Sequence, residues 1–187
     1  VLRTNGKVID GGEAIYHSND LLHLRSARSW IEKLGPQDYQ RYAVRAGSGC
    51  PFKCTFCHIG RRTNRFRRVE DVIDELSVIP FREEPVKVLS GDMLQDWDWV
   101  TEFCNAIIKN GIKIHWETDT RLNWLTDLEQ LKMLRKSGCT ELAIGVESYH
   151  PTILKGVKKG YSQDQIDRGL QNLLKVGIKP ALNMMIG

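Results

Sequence analysis

Three of the five cysteines in this 187-residue chain fall inside one short run, Cys50-Pro51-Phe52-Lys53-Cys54-Thr55-Phe56-Cys57. Thiolate is a soft ligand suited to zinc, copper(I) or iron–sulfur centres, and three thiolates without an obvious fourth cysteine leave one coordination position open. An open position is where a substrate or second cofactor can bind. An odd total, with three cysteines so close together, does not make a disulfide framework for a domain of this size. The same run also fits a zinc knuckle, in which Cys54 and Cys57 form a C-x-x-C pair and His58 or a distant residue completes the shell. Cys104 falls on the apolar stripe of a helix and Cys139 follows a glycine that closes another. Both read as small core hydrophobes outside the site.

The thiolates need a frame, and from about Tyr42 the chain alternates short β-branched runs with helical periodicity, the signal for βα units around a parallel sheet. The first strand reads Tyr42-Ala43-Val44-Arg45-Ala46, and the cysteine run follows it, so the thiolates project at the strand's carboxyl end, where βα folds host their chemistry. A helix then carries Val69, Val72, Ile73 and Leu76 on one face. The strand Val86-Lys87-Val88-Leu89 leads to a helix with Val100, Phe103, Cys104 and Ile107 on its buried stripe, and Ile112-Lys113-Ile114-His115-Trp116 reads as the third strand. The third helix is expected to open at Thr126 with Glu129 three residues on, and the fourth at Ser162 with Gln165, each a capping box. Lys109-Asn110-Gly111, Lys136-Ser137-Gly138 and Lys175-Val176-Gly177 close three helices alike, with glycine free to turn left-handed and lysine facing the helix dipole. Strands at Glu141-Leu142-Ala143-Ile144 and Ala181-Leu182-Asn183-Met184-Met185 complete an internal βα repeat.

Five strands with four intervening helices are too few to close an eight-stranded barrel. The expected fold is therefore α/β, a partial, open βα barrel with a parallel sheet over residues 41–187, preceded by a leader over residues 1–40 in which Leu21 to Leu34 holds a short helix. Valine at the start and Met184-Met185-Ile186-Gly187 at the end read as the limits of an excised piece, truncated at the C-terminus. A net charge of +4 neither demands nor excludes nucleic acid. No apolar run is long enough to span a bilayer and no signal-peptide layout opens the chain, so a cytoplasmic setting without membrane is expected. Arg61, Arg62, Arg65, Arg67 and Arg68 are the densest charge cluster. They suit phosphates, but only Phe66 interleaves them, and a solvated loop or a docking face is the preferred reading.

The spacing C-x-x-x-C-x-x-C after a first strand, with the aromatic Phe56 before the last cysteine, resembles the cluster motif of the radical S-adenosylmethionine superfamily. The resemblance implies that Cys50, Cys54 and Cys57 bind three irons of a [4Fe–4S] cluster, and that S-adenosylmethionine chelates the fourth through its amino and carboxylate groups. Reductive cleavage of the cofactor's C–S bond would then start radical chemistry. Ser90-Gly91-Asp92, at the end of the second strand, resembles the segment that meets the cofactor's amino group, although the family often has two glycines and a glutamate there; an ordinary helix-capping turn is the alternative. Arg121, after the third strand, stands where relatives often place an arginine against the cofactor carboxylate. Gly145-Val146-Glu147-Ser148, within Gly138 to Gly160, resembles the branch containing cobalamin-dependent radical enzymes and methylthiotransferases. It implies that Glu147 and Ser148 lie near the ribose and methionine of the cofactor.

The expected function is reductive cleavage of S-adenosylmethionine leading to cobalamin-linked methyl transfer or rearrangement, with cobalamin held by a domain outside this chain. A tRNA methylthiotransferase is the alternative, favoured by Cys57-His58-Ile59-Gly60-Arg61-Arg62, and a zinc-stabilised binding module is a third reading. Partners implied are a small-molecule substrate or tRNA, a reductant such as flavodoxin or ferredoxin, and adjoining domains of a parent chain.

Overall fold

Parallel strands need crossovers, and this chain supplies helices that each bury one apolar stripe on the same side of a sheet. The computed structural model describes residues 2–4, 7–9, 25–34, 41–60 and 62–186. In chain order the elements are β1 (Leu2–Thr4), β2 (Lys7–Ile9), α1 (Arg28–Leu34), β3 (Ala43–Arg45), β4 (Gly47–Cys50), β5 (Arg62–Phe66), α2 (Val69–Ser77), β6 (Val86–Leu89), α3 (Trp97–Lys109), β7 (Trp116–Thr120), α4 (Leu128–Lys136), β8 (Cys139–Glu147), α5 (Pro151–Gly156), α6 (Gln163–Val176) and β9 (Lys179–Met184). The main sheet has five strands in the order β3-β6-β7-β8-β9, every neighbouring pair parallel. Strands β3 and β9 form its two edges, so the wall is open, as the strand count predicts.

Register Val44↔Val88↔Thr118↔Leu142 places one set of side chains toward the helices. Val72, Leu76, Val100, Phe103, Leu131, Leu134, Ile166 and Leu173 meet them there and exclude water. An aromatic ladder runs through this core: Phe66 stacks on Trp99 at 4.8 Å, Trp99 on Phe103 at 5.1 Å, and Phe103 meets Trp116 edge-on at 5.4 Å. Cys104 and Cys139 are fully buried in it, as expected of small hydrophobes. The opposite face of the sheet is charged. Lys87 lies 3.0 Å from Asp119 and 3.6 Å from Glu117, Arg41 reaches Glu117 at 3.0 Å, and Lys179 pairs with Glu141 at 2.9 Å.

Strand β7 begins where the expected third strand ends. After α3 the Ile112 amide returns to the Ile107 carbonyl, and the chain enters the sheet only at Trp116, whose amide donates to Gly138. Glu117 to Thr120 read as a polar loop; they are strand because Thr118 donates its hydroxyl to the Val88 carbonyl at 2.7 Å and Glu117 and Asp119 turn to the charged face. Asp127, not Thr126, caps α4, accepting from the Glu129 and Gln130 amides. Ser162 and Gln165 form the expected capping box on α6. Gly111, Gly138 and Gly177 all take positive φ behind their helices. Helix α5 and the antiparallel pairs β1–β2 and β4–β5 are additional to the expected elements.

The arginine cluster is not a solvated loop. Arg61 lies outside the described residues, Arg62 and Arg65 sit on β5, and Arg68 pairs with Asp71. Arg67 is buried, 2.7 Å from Glu75, and donates further to the Arg25 and Arg45 carbonyls. Glu75 also accepts from the Ala27 amide, and Arg28 reaches Asp74 on α2, so residues 25–34 are pinned onto that helix. The expected leader helix is described over Arg28–Leu34, while Leu21 to Leu24 lie outside the described residues. Replacing Arg67 by methionine strands a buried carboxylate, and the unfolding free energy in urea should fall by about 3–5 kcal/mol. A loss below about 1 kcal/mol, the range of exposed pairs, would contradict this role.

Candidate functional site

Cys50 is the last residue of β4, and the loop from Pro51 to Gly60 bulges from the hairpin that β4 and β5 close. Three backbone contacts shape it. The Cys57 amide donates to Cys54 at 3.2 Å, the Thr55 amide to Val157 at 3.3 Å, and Gly49, at φ 91, lets β4 turn beside Thr63. The end of β6 presses on the same place: a β-carbon at Gly91 would overlap the Gly49 carbonyl oxygen and touch Cys50. Strand β6 thus supports the first cysteine through contact with a bare backbone.

Arg121, just beyond β7, is buried and joins the loop to the other strand ends. Its Nη1 donates to Cys54 Sγ at 3.1 Å, Nε donates to Asn123, and Nη2 donates to the Lys159 carbonyl. The guanidinium lies 3.8 Å from the Phe52 ring centroid, and Phe52 packs edge-on against Trp124 at 6.3 Å. Trp124 Nε1 donates to Asp92 at 2.9 Å, and the Thr120 hydroxyl donates to the other Asp92 oxygen at 3.1 Å. Burial pushes the Asp92 carboxyl above its ordinary range, against the pull of those two donors. Beside it, Ser90 Oγ is a buried hydroxyl with no partner among the described residues.

Glu147 ends β8 at a bulge, with φ 66, where the register to β9 skips from Gly145 to Glu147. Its Oε1 is 3.0 Å from Lys159 Nζ, and that ammonium lies 5.5 Å from the centroid of the half-exposed Phe56 ring. Ser148 Oγ accepts from the His150 amide at 3.0 Å and caps the approach to α5. Tyr161 donates its hydroxyl to the Gly145 carbonyl and stacks 5.7 Å from the Arg121 guanidinium; burial pushes its phenol strongly upward. Cys54, Arg121, Glu147 and Phe56 are brought together through Lys159, while Ser90, Gly91 and Asp92 approach from the Cys50 side. Phe52 and Trp124 carried no site role in the sequence reading, and Lys159 and Tyr161 figured there only within the run Lys158-Lys159-Gly160-Tyr161-Ser162 that supports the cobalamin-linked branch. Nothing in that run marks Lys159 as the buried lysine.

The donor set fits an iron–sulfur cubane. All five cysteines are free thiols, and three lie on one loop at the carboxyl ends of the strands. Among the described residues no three His, Cys, Asp or Glu side chains converge on a point that would hold one metal ion. Thiolate suits an iron–sulfur cluster, whose separate irons three cysteines on one loop can each ligate. Burial raises the Cys50 thiol above its usual value, a cost that a metal cation reverses. Beside Gly91, the Ser90 hydroxyl is a donor without an acceptor among the described residues.

A sequence model of the Radical SAM superfamily matches residues 44–187. The chain belongs to this superfamily. Its cofactors are accordingly a [4Fe–4S] cluster and S-adenosylmethionine, as the resemblance implies, and the zinc-knuckle alternative falls away. An uncharacterised methyltransferase of Pyrococcus horikoshii is 27% identical over 150 residues, covering 77% of this chain and 32% of the relative. The bacteriochlorophyllide d C-12(1)-methyltransferase of Chlorobaculum tepidum is 28% identical over 131 residues, covering 67% of this chain and 29% of that protein. The chain thus spans about a third of the curated relatives' length. In fold it is similar to the cobalamin-dependent S-adenosylmethionine radical enzyme OxsB, with a TM-score of 0.69 at 20% identity over 79% of this chain and 25% of that one. The methylthiotransferase alternative is not favoured by relatives named for methyl transfer.

Two outcomes follow from the loop geometry. Gly91→Ala should keep the far-UV circular dichroism of the parent yet incorporate far less iron on anaerobic reconstitution; undiminished iron would show that the loop does not need this approach. In iron-free protein at about pH 8, iodoacetamide should modify the partly exposed Cys57 first. Cys104 and Cys139 should react only after unfolding, because burial pushes Cys104 up to about 11 and Cys139 well above the ordinary thiol value.

Proposed function

We propose that this chain is the core of a radical S-adenosylmethionine methyltransferase that works with cobalamin held elsewhere in the complete protein. The observation that carries the reading is the meeting of Cys54, Arg121, Glu147 and Lys159 at the carboxyl ends of three different strands. The relatives named as methyltransferases and the likeness to a cobalamin-dependent fold support the choice of reaction. When bound, the cluster and S-adenosylmethionine supply one-electron reductive chemistry that the protein's own side chains cannot perform.

The chain's share is to hold and orient. Cys50, Cys54 and Cys57 would bind three irons, leaving the fourth for the cofactor's amino and carboxylate groups. Arg121 is the cation for that carboxylate, with its guanidinium already held beside Cys54. Ser90 and the Gly91 backbone would face the amino group, and Asp92 holds Thr120 and Trp124 behind them. Phe56 offers a ring face to the nucleoside, Glu147 accepts from ribose hydroxyls, and Ser148 lines the methionine side. Residues 41–187 form the cofactor-binding unit in this reading, and residues 1–40 a leader whose described segment 25–34 packs on α2.

A small-molecule substrate suits relatives of this kind better than tRNA. The exposed cations Lys53 and Arg62 around the cysteine loop suit an acidic electron carrier such as flavodoxin or ferredoxin. Among the described residues no helix is long and apolar enough to cross a membrane; a cytoplasmic setting is part of the proposal, in keeping with reduced thiols.

Anaerobic reconstitution with iron and sulfide should yield a brown protein with a [4Fe–4S]⁺ EPR signal after reduction, lost when the three cysteines are replaced by alanine. Stoichiometric zinc without an iron species would refute the cluster assignment. With the complete gene product and cobalamin, S-adenosylmethionine should give S-adenosylhomocysteine as well as 5′-deoxyadenosine. Release of 5′-deoxyadenosine alone would exclude methyl transfer and leave the radical reading intact.

A further inference from the structure

Lys159 is 5% exposed, an unusual place for an ammonium, which is costly to take out of water without a partner. Its surroundings explain the burial. Nζ pairs with Glu147 Oε1 at 3.0 Å and lies over the Phe56 ring, and the Lys159 carbonyl accepts from Arg121 Nη2. One residue thus contacts three side chains assigned above to the cofactor. The backbone on both sides is held in conformations that side-chain-bearing residues rarely adopt. Glu147 at φ 66 and Lys158 at φ 57 are the two non-glycine residues with positive φ among the described residues. The Lys159 amide is tied to the Leu154 carbonyl at 3.0 Å, so the turn is anchored to α5.

Space for the pair comes from Gly145. A β-carbon there would stand 2.7 Å from Glu147 Oε1 and 2.8 Å from Lys159 Nζ, contacts that only the ends of two flexible side chains make. An alanine would therefore move the pair while leaving both charges and the surrounding backbone in place. With Lys159 on Oε1, Glu147 Oε2 carries no protein donor among the described residues.

We infer that Lys159 is a positioning residue for S-adenosylmethionine: its ammonium turns Glu147 so that Oε2 is presented to the ribose hydroxyls, and its carbonyl fixes the Arg121 guanidinium at the cofactor carboxylate. The inference rests on Glu147 and Arg121 being cofactor residues. It separates cofactor binding from cluster assembly, because the Lys159 ammonium pairs with Glu147 and its carbonyl holds Arg121, and neither of these bonds is to a cysteine. Disturbing it should weaken the cofactor's hold and spare cluster assembly.

The test uses the whole chain, reconstituted anaerobically, with iron content, equilibrium binding of S-adenosylmethionine and the cofactor-induced change in the [4Fe–4S]⁺ EPR signal as readouts. Lys159→Met should keep the wild-type iron content and bind S-adenosylmethionine about tenfold or more weakly, the scale of a lost charge-assisted hydrogen bond. Lys159→Arg should regain most of the affinity, since a guanidinium reaches the same oxygen, and a purely structural role would give no such rescue. Gly145→Ala should weaken binding in the same direction with both charges present, and it decides the matter if Lys159→Met does not fold. Wild-type affinity in Gly145→Ala and Lys159→Met, or in Gly145→Ala alone where Lys159→Met is unfolded, would overturn the inference. A wild-type chain with a full cluster and no affinity for S-adenosylmethionine would instead overturn the assignment of the cofactor residues.

Discussion

A buried guanidinium must find an acceptor for its donors, and the candidate site is arranged around that requirement at Arg121. Thiol sulfur, a backbone carbonyl and a side-chain amide oxygen each accept one of its N–H groups, while Phe52 and Tyr161 receive its π faces. Those acceptors come from the cysteine loop, the α5–α6 turn and the turn after β7. One side chain therefore sets the distance between three segments that the sheet alone would leave independent. The Phe52–Trp124–Asp92–Thr120 chain extends the constraint to the end of β6. A lysine in place of Arg121 would offer three rotating donors from a point and lose the planar match to both rings.

The same constraint explains why the site is neither rigid scaffold nor free loop. The cysteine loop is fastened at Gly49, Gly60 and Thr55 by backbone contacts that depend on close approach rather than on side-chain packing. Its three thiols consequently share one loop at the strand ends. Glu147 and Lys158 pay for the arrangement with strained backbone on the opposite rim, where neighbouring hydrogen bonds keep them in place.

Much of this was legible from local pattern. The cysteine spacing, the strand ends at Ser90 and Glu147, the Ser162–Gln165 cap and the glycine closures are each encoded within a few residues, and each appears where its own chemistry puts it. Elements whose identity depends on distant partners were hidden. Glu117 to Thr120 look like a loop until Val88 and Lys87 are beside them, and Thr126 looks like a cap until Asp127 competes with a better-placed carboxylate. The β4–β5 hairpin escaped notice because Gly47-Ser48-Gly49 has little strand propensity and is held by Arg62 to Phe66 across the loop. Lys159 is the extreme case: its burial is a product of Glu147, Gly145 and Arg121, none of them its neighbour in sequence.

The ion pairs on the open face of the sheet also bear on how the strands find one another. A slip of one position exchanges the two faces of a strand, so burial of one face specifies its register. Here such an error would carry Lys87, Glu117 or Glu141 to the helix-covered face and set valines and leucines among the charges. The attraction of Lys87 for Glu117 and Asp119, and of Lys179 for Glu141, rewards only the native alignment. These charges thus serve the fidelity of assembly in a topology whose long crossovers make mispairing a slow mistake to undo.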